Sequence, residues 1–495
     1  MLAKRLFRSG LTLLAVFAVV WMATIAWWQA THRMPTTADI VTSLFLLPLG
    51  MVIGYRVIRR ALDGTRTNVA AGRELAATTA PVAADSAAAA TDPQDTTRHW
   101  RATLLGSAFR TAAGADIDTL VKAAQTYSQP DMTDVQGVGS PVFAAPVKGL
   151  DIKDLRDKLV QRHPGLEWTD ESLRALTLCR DVINELAAQA AASLPAQAGG
   201  EPVRLVVTAL LPRDWTPPQQ SAADDWLRQQ IRPHWPAERV TLEPIAAKGD
   251  ADALLLLDRA TQALNRPNEE RALRMVVVAD SLIGMRAVEQ LTQQSQLYDA
   301  DQNKHGRLPG EAAAGVLLCS PADPLAQRAK AGTPADDEAP AAALVLTRAS
   351  VARLGAPTAD RGQPDTHALA SAVRQVLETL AAAPDGANDS NQAKPAADAA
   401  PASPPPIAAV VADTGVHPVR TAEVARVVAE RFPALDAAED VLSLGQPCGY
   451  LGAAGALLPV ALAHQLSRQT GRPVLALTAN DIQQRGAIAV VPRLT

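Results

Sequence analysis

Three thiols, an imidazole close to a carboxylate, and a short polar elbow are the side chains here with the means to do chemistry. Cys179, Cys319 and Cys448 stand far apart with no metal-ligand spacing, so neither a metal centre nor a disulfide framework is expected, and a reducing compartment is the simpler setting. His417 follows Asp413 by four positions, beside Pro418. Lys248, Gly249 and Asp250 precede the apolar run ALLLLD, either as a polar pocket wall or, the favoured reading, as a helix start capped by Asp250. Cys448, Gly449 and Tyr450 lie within GQPCGYLGAAG, residues 445–455. No histidine adjoins Cys448 to lower its pKa, which makes it a small packing residue. No phosphate-binding GxxxxGKS/T, no GxSxG with a nearby base and no HExxH occurs, and no cofactor is expected.

These residues hang on alternating strand and helix signals. VRLVVTALL (203–211) and LRMVVVAD (273–280) are continuous apolar runs of the buried-strand type, and RVTLEP (239–244) is a further strand. Helices are expected over 221–231, 251–264, 367–382 and 421–432, the second closed by Asn265-Arg266-Pro267. Residues 312–319 and 341–347 are expected to be adjacent paired strands; 407–411, 474–478 and 487–491 complete the set, the last two joined by a turn at Asn480-Asp481. The glycine and alanine turn at 445–455 leads into the apolar helix ALLPVALAHQL, and so few side chains let backbone approach backbone. Alternation with buried strands predicts α/β layers. Trp215, Trp226 and Trp235, in the proline-rich stretch 212–236, either pack on the core or, if exposed, offer a protein contact.

The chain of 495 residues is long enough for two or three domains or one large two-lobed core. Its net charge of -4 gives no argument for nucleic-acid binding. Residues 11–30 are uncharged and match the ~20 residues that span a bilayer; residues 40–58 form a second such stretch, with Arg56 near its end. Trp27 and Trp28 stand where a signal peptidase would need small residues. Lys4, Arg5, Arg8, Arg59, Arg60 and Arg66 flank the pair, which orients both ends toward the cytoplasm. The expected organisation is a transmembrane hairpin over 1–66, a flexible linker over 67–98, a first half with an N-terminal extension over 99–350, and a second half over 351–495 carrying a low-complexity insertion at about 381–406. A multi-pass protein of the bacterial inner membrane, with two helices and a cytoplasmic C-terminal domain, follows from this reading.

Four segments resemble the β-ketoacyl synthases. DQNKHGRLPGEAAAGVLL (301–318) is similar to their GFVPGEGAAALVL, AVVADTGVHPVRTAEV (409–424) to AHGTGTPLGDPIE, the 445–455 turn to GHTLGAAGA, and 473–491 to the closing strand pair. The likeness covers roughly 141–495 in element order and implies a thiolase-like layered αβαβα core. It also implies where the condensing cysteine and two histidines should be. At the elbow stand Gly249 and Asp250; at the first histidine stands Asp413, with His417 nearby as a displaced candidate; at the second stands Gly449 or, with a slip of one, Tyr450. Condensation needs a thiolate and two imidazoles, so the resemblance implies a fold kept after its chemistry was lost.

The whole arrangement also resembles a proteobacterial uncharacterised-domain family that includes type VI secretion lipase adaptors. That implies a non-catalytic adaptor or chaperone with a lipase effector and a secretion spike protein as partners. The alternatives are a membrane-associated acyltransferase working through Asp413, His417 and Tyr450, or a pseudo-synthase subunit. A homodimer is expected on the thiolase-like resemblance.

Overall fold

The chain divides into two compact units, Met1–Ala87 and Ala88–Thr495. The computed structural model describes residues 97–194, 203–267, 270–326, 343–355, 364–381, 406–415 and 417–493, all within the second unit. The expected hairpin, residues 67–96 of the linker and residues 382–405 of the insertion lie outside the described residues. Among the described residues no helix is long and apolar enough to cross a membrane.

In chain order the first elements are β1 (Ala102–Thr111), α1 (Ile117–Gln125), the small pair β2 (Met132–Thr133) and β3 (Val142–Phe143), α2 (Lys153–Arg162) and α3 (Asp170–Ser193). There follow β4 (Arg204–Leu211), α4 (Pro217–Ile231), β5 (Val240–Ala246), α5 (Asp252–Leu264), β6 (Ala272–Ser281), α6 (Met285–Gln293) and β7 (Glu311–Cys319). The rest are β8 (Leu344–Leu346), β9 (Ser350–Arg353), α7 (His367–Ala381), β10 (Ala409–Ala412), α8 (Pro418–Arg431), β11 (Val441–Ser443), α9 (Gly445–Cys448), α10 (Ala454–Thr470), β12 (Val474–Thr478) and β13 (Gln484–Pro492).

One strand plan is used twice. The sheet runs β11-β10-β12-β13-β8-β1-β7-β6-β4-β5, with β9 pairing on β13. Read from each edge inward, both sets of five have the order third, second, fourth, fifth, first. In each, the first three of these are parallel, and the fifth strand (β7 or β13) runs antiparallel to both its neighbours. The two first strands, β1 and β8, pair antiparallel and join the sets.

Period-two alternation splits the strands between helix layers. On β7, Ala312, Ala314, Val316 and Leu318 face a middle core shared with α5 and α10, whereas Ala313, Leu317 and Cys319 face an outer core under α3 and α4. On β12 and β13, Val474, Ala476, Ile488 and Val490 face the same middle core; Leu475, Leu477, Ala487 and Ala489 face α7 and α8. The result is an αβαβα layering. Helix α10 is buried nearly all round because sheet lies on both sides of it, which explains why its sequence carries little amphipathic pattern.

Two expectations need correction. Residues 312–319 and 341–347 do not pair with each other: β1 lies between β7 and β8. That strand, upstream of the point where the resemblance was drawn to start, is a central one. Its polar members Thr103, Ser107 and Thr111 are buried, which hides it from an apolar-run reading. Helix α5 is not capped by Asp250. Its N-cap position is Ala251, and Asp252 instead accepts the backbone amides of Lys248 (2.6 Å) and Gly249 (3.1 Å).

Candidate functional site

The C-terminal ends of the strands bring the candidate residues into one region. The GRLPGE segment and the glycine turn interlock through backbone: Tyr450 donates to the Leu308 carbonyl (2.7 Å) and Gly310 to the Tyr450 carbonyl (3.2 Å). A Cβ on Gly310 would collide with the carbonyl oxygen of Cys448, and one on Gly445 would lie 2.8 Å from that of Asp413. The turn therefore holds backbone against backbone. It opens with the single helical turn α9, followed by Gly449 at φ 75°, where L side chains are strained and a Cβ would lie 2.8 Å from the Leu308 carbonyl oxygen. No functional side chain fits at 449.

Tyr450 takes the space instead. Its hydroxyl donates to Oδ2 of Asp250 at 2.5 Å, and its ring carries the Arg307 guanidinium 4.1 Å from the centroid. Asp250 is buried, and its amide donates to Asp481 (3.1 Å). Burial pushes the Asp250 carboxyl above its ordinary range and raises the Tyr450 phenol well above 10, so the phenol is not an activated nucleophile. Gly249 stands against Asp481, where a Cβ would lie 3.2 Å from its carboxylate.

Asp413 closes the end of β10. Its carboxylate accepts the amides of Ala479 (2.8 Å) and Asn480 (3.2 Å), while the Asn480 side chain donates to its carbonyl (2.5 Å). Burial pushes this carboxyl up to about 7 against the pull of those two amides. His417, the residue before α8, lines a cleft with Gly306, Arg307, Leu308, Gly415, Arg420, Gly445, Gly449, Tyr450 and Asn480. The cleft is small, about 30 Å³, and partly open to solvent. His417, Gly449 and Tyr450 therefore share one cleft, Asp250 reaches it through Tyr450, and neither Asp413 nor Gly249 is among its lining residues.

The sequence reading missed Asp280, Arg307 and Arg420. Asp280, near the end of β6, accepts the amides of Ser281 (2.9 Å) and Ala453 (3.1 Å) and is pushed up to about 7 by burial. A carboxylate ending a buried apolar strand was its only signal. Arg307 and Arg420 occur in segments far apart along the chain, and nothing local marks them as neighbours.

Glu311 serves structure. It is fully buried, pairs with Arg174 (Nε to Oε2 2.7 Å), accepts the Val147 amide (2.7 Å) and takes the Ser281 hydroxyl (2.8 Å). The amide contact ties the segment after Gly310 to the backbone at Val147. Cys179, Cys319 and Cys448 are all buried, with thiols pushed up to about 12 by burial, so none is a thiolate near neutral pH. Trp215, Trp226 and Trp235 are buried and pack on the outer core. No cluster of metal-ligating side chains occurs among the described residues.

No family model and no curated protein matches the chain. Solved structures similar to it include a β-ketoacyl synthase from Burkholderia phymatum STM815 (14% identity, TM-score 0.49, covering 80% of this chain and 100% of that one). The ishigamide ketosynthase/chain length factor is similar at 16% identity and TM-score 0.44, over 79% of this chain and 99% of that one. A variant of OleA from Xanthomonas campestris is similar at 12% identity and TM-score 0.41, over 79% of this chain and 98% of that one. Identity and TM-score are both too low for any activity to follow from the likeness.

Proposed function

We propose that this chain is a thiolase-like binding protein that does not catalyse condensation. The observation that carries the reading is the Tyr450–Asp250 hydrogen bond, which occupies the region where the resembling synthases need an imidazole and a thiolate. Two facts support it: the cysteines are buried with raised thiols, and the carboxylate oxygens of Asp413 are taken by backbone amides. A fold with a packed site and a large rigid surface suits holding a client.

In this reading the N-terminal hairpin tethers the protein to the bacterial inner membrane, with the αβαβα core in the cytoplasm. The core then escorts a lipase-type effector to a type VI secretion spike. The test is affinity capture of the full-length protein from membranes of its native organism. Recovery of a lipase effector with a spike protein supports the adaptor role; recovery of acyl carrier protein with neither of them overturns it in favour of a pseudo-synthase subunit.

A second reading, an acyltransferase with a rearranged site, is favoured by one observation: His417 and Tyr450 line the same cleft. Acyl transfer that is abolished by Asp413→Ala or His417→Ala would establish it.

A further inference from the structure

The cleft holds two guanidinium groups, and no carboxylate pairs with either among the described residues. Arg420 is only 4% exposed. Taking an arginine out of water is costly unless its charge and its donors are matched, so buried arginines are paired. Arg485 shows the rule: it is fully buried and bound to Glu423 at 2.8 Å, a carboxylate from the same helix as Arg420. Arg420 departs from it. Its Nη1 donates to the Asn480 carbonyl, and its buried Nε has no partner.

Arg307 lies over the Tyr450 ring, which leaves its donor edge available to the cleft it lines. Neighbouring carboxylates act on the pair without bonding to it: Asp413, whose oxygens take the amides of Ala479 and Asn480, attracts Arg420, and Asp250, bonded to Tyr450, attracts Arg307. The two arginines are close enough for each to oppose the other's charge; the charge of Arg307 helps to pull the Arg420 guanidinium below its ordinary range, after burial itself. Such a pair is stabilised by an anion between them.

The remaining walls favour the same ligand. Gly415, Gly445 and Gly449 present backbone only. Helix α8, 14 residues long, begins at Pro418 beside the cleft, so the positive end of its dipole lies on that side. Planar guanidinium forks bind oxyanions two bonds at a time, and two of them match the double charge of a phosphate.

We propose that the cleft between Arg307 and Arg420 binds a phosphate group, either as the free ion or as the phosphate ester of a larger molecule. The proposal names a ligand for the cleft read above as non-catalytic. It is measured without any acyl transfer, so each can fail without the other.

The test is calorimetric titration of the purified full-length protein, at fixed ionic strength, with inorganic phosphate, glycerol 3-phosphate and acetate. The expected result is binding of a phosphate in preference to acetate, weakened about tenfold or more in Arg307→Gln and in Arg420→Gln, and unchanged in the exposed control Lys153→Gln. Tighter binding of inorganic phosphate identifies a free-ion site, and tighter binding of glycerol 3-phosphate an ester site. Arg307 is only partly buried, so its variant keeps the test open if Arg420→Gln fails to fold. Binding of neither phosphate at millimolar concentration would overturn the proposal. Equal binding of acetate, or phosphate binding that survives Arg307→Gln, would overturn it too.

Discussion

The Tyr450 hydroxyl and the Asp250 carboxylate, 200 positions apart, share a 2.5 Å hydrogen bond that links the glycine turn of the second half to the elbow of the first. Tyr450→Phe deletes the donor and leaves a buried carboxylate with one partner fewer. The expected cost is about 1–3 kcal/mol, read as a lower urea midpoint. A double variant with Asp250→Ala should be less destabilised than the sum of the two single ones. Strict additivity would mean that the bond contributes nothing.

The interlock of GRLPGE with the glycine turn should tolerate a methyl group at one position and reject it at another. Gly310→Ala drives a Cβ into the Cys448 carbonyl, and a collision with backbone is not relieved by a rotamer change. Destabilisation of about 3 kcal/mol or more is expected. At Gly455, within helix α10, a Cβ meets nothing nearer than 3.7 Å. Gly455→Ala should be neutral, or stabilising by up to about 1 kcal/mol through the lower entropy of the unfolded chain. Thermal unfolding of the two variants side by side checks the contrast.

All three cysteines should resist thiol reagents in the native protein and react after denaturation. Burial holds each thiol near 12 and blocks access to the sulfur. Rapid native labelling of Cys448 would show that the turn opens and would reinstate it as a candidate nucleophile.

Asp280 and Asp413 give stability a pH dependence. Each carboxyl titrates near 3.8 when unperturbed and is pushed up to about 7 by burial in the fold. Between those values the native state binds more protons than the unfolded chain, so their contribution is complete below about pH 4 and is lost as pH rises toward 7. His464, pulled down to about 4 by burial, acts in the opposite direction between about pH 4 and 6.5. The isolated signal is therefore a comparison of chains. The fall in urea midpoint from about pH 5 to pH 7.5 should be shallower in Asp280→Asn than in the parent. Equal slopes would mean that Asp280 is ionised throughout.

The pair of half-buried Arg174 with fully buried Glu311 should be among the most sensitive structural positions in the fold. Glu311→Ala strands a guanidinium, the Val147 amide and the Ser281 hydroxyl together. Loss of about 3–5 kcal/mol is expected, read by circular dichroism as a lower melting temperature.

Much of the layering was legible in the sequence because central strands buried on both faces read as apolar runs, as in VRLVVTALL and LRMVVVAD. That the 445–455 turn holds backbone against backbone was legible because only glycine permits such close contact; that GRLPGE is its partner was not. Strand β1 was not legible, since its buried Thr103, Ser107 and Thr111 imitate a surface pattern inside the core. The role of Asp250 was misread for a related reason. A local cap and a bond to a tyrosine 200 residues away look identical in sequence, and the tertiary partner decides. The Arg307–Arg420 cleft has no sequence periodicity at all. It exists only once α8 and the GRLPGE segment are packed side by side.

The central claim is that the site is closed to condensation chemistry. Incubating the full-length protein with an acyl thioester such as octanoyl-coenzyme A, then weighing the intact chain by mass spectrometry, tests it most directly. The account predicts an unchanged mass. A stoichiometric acyl adduct that disappears in Asp413→Ala or His417→Ala would contradict it.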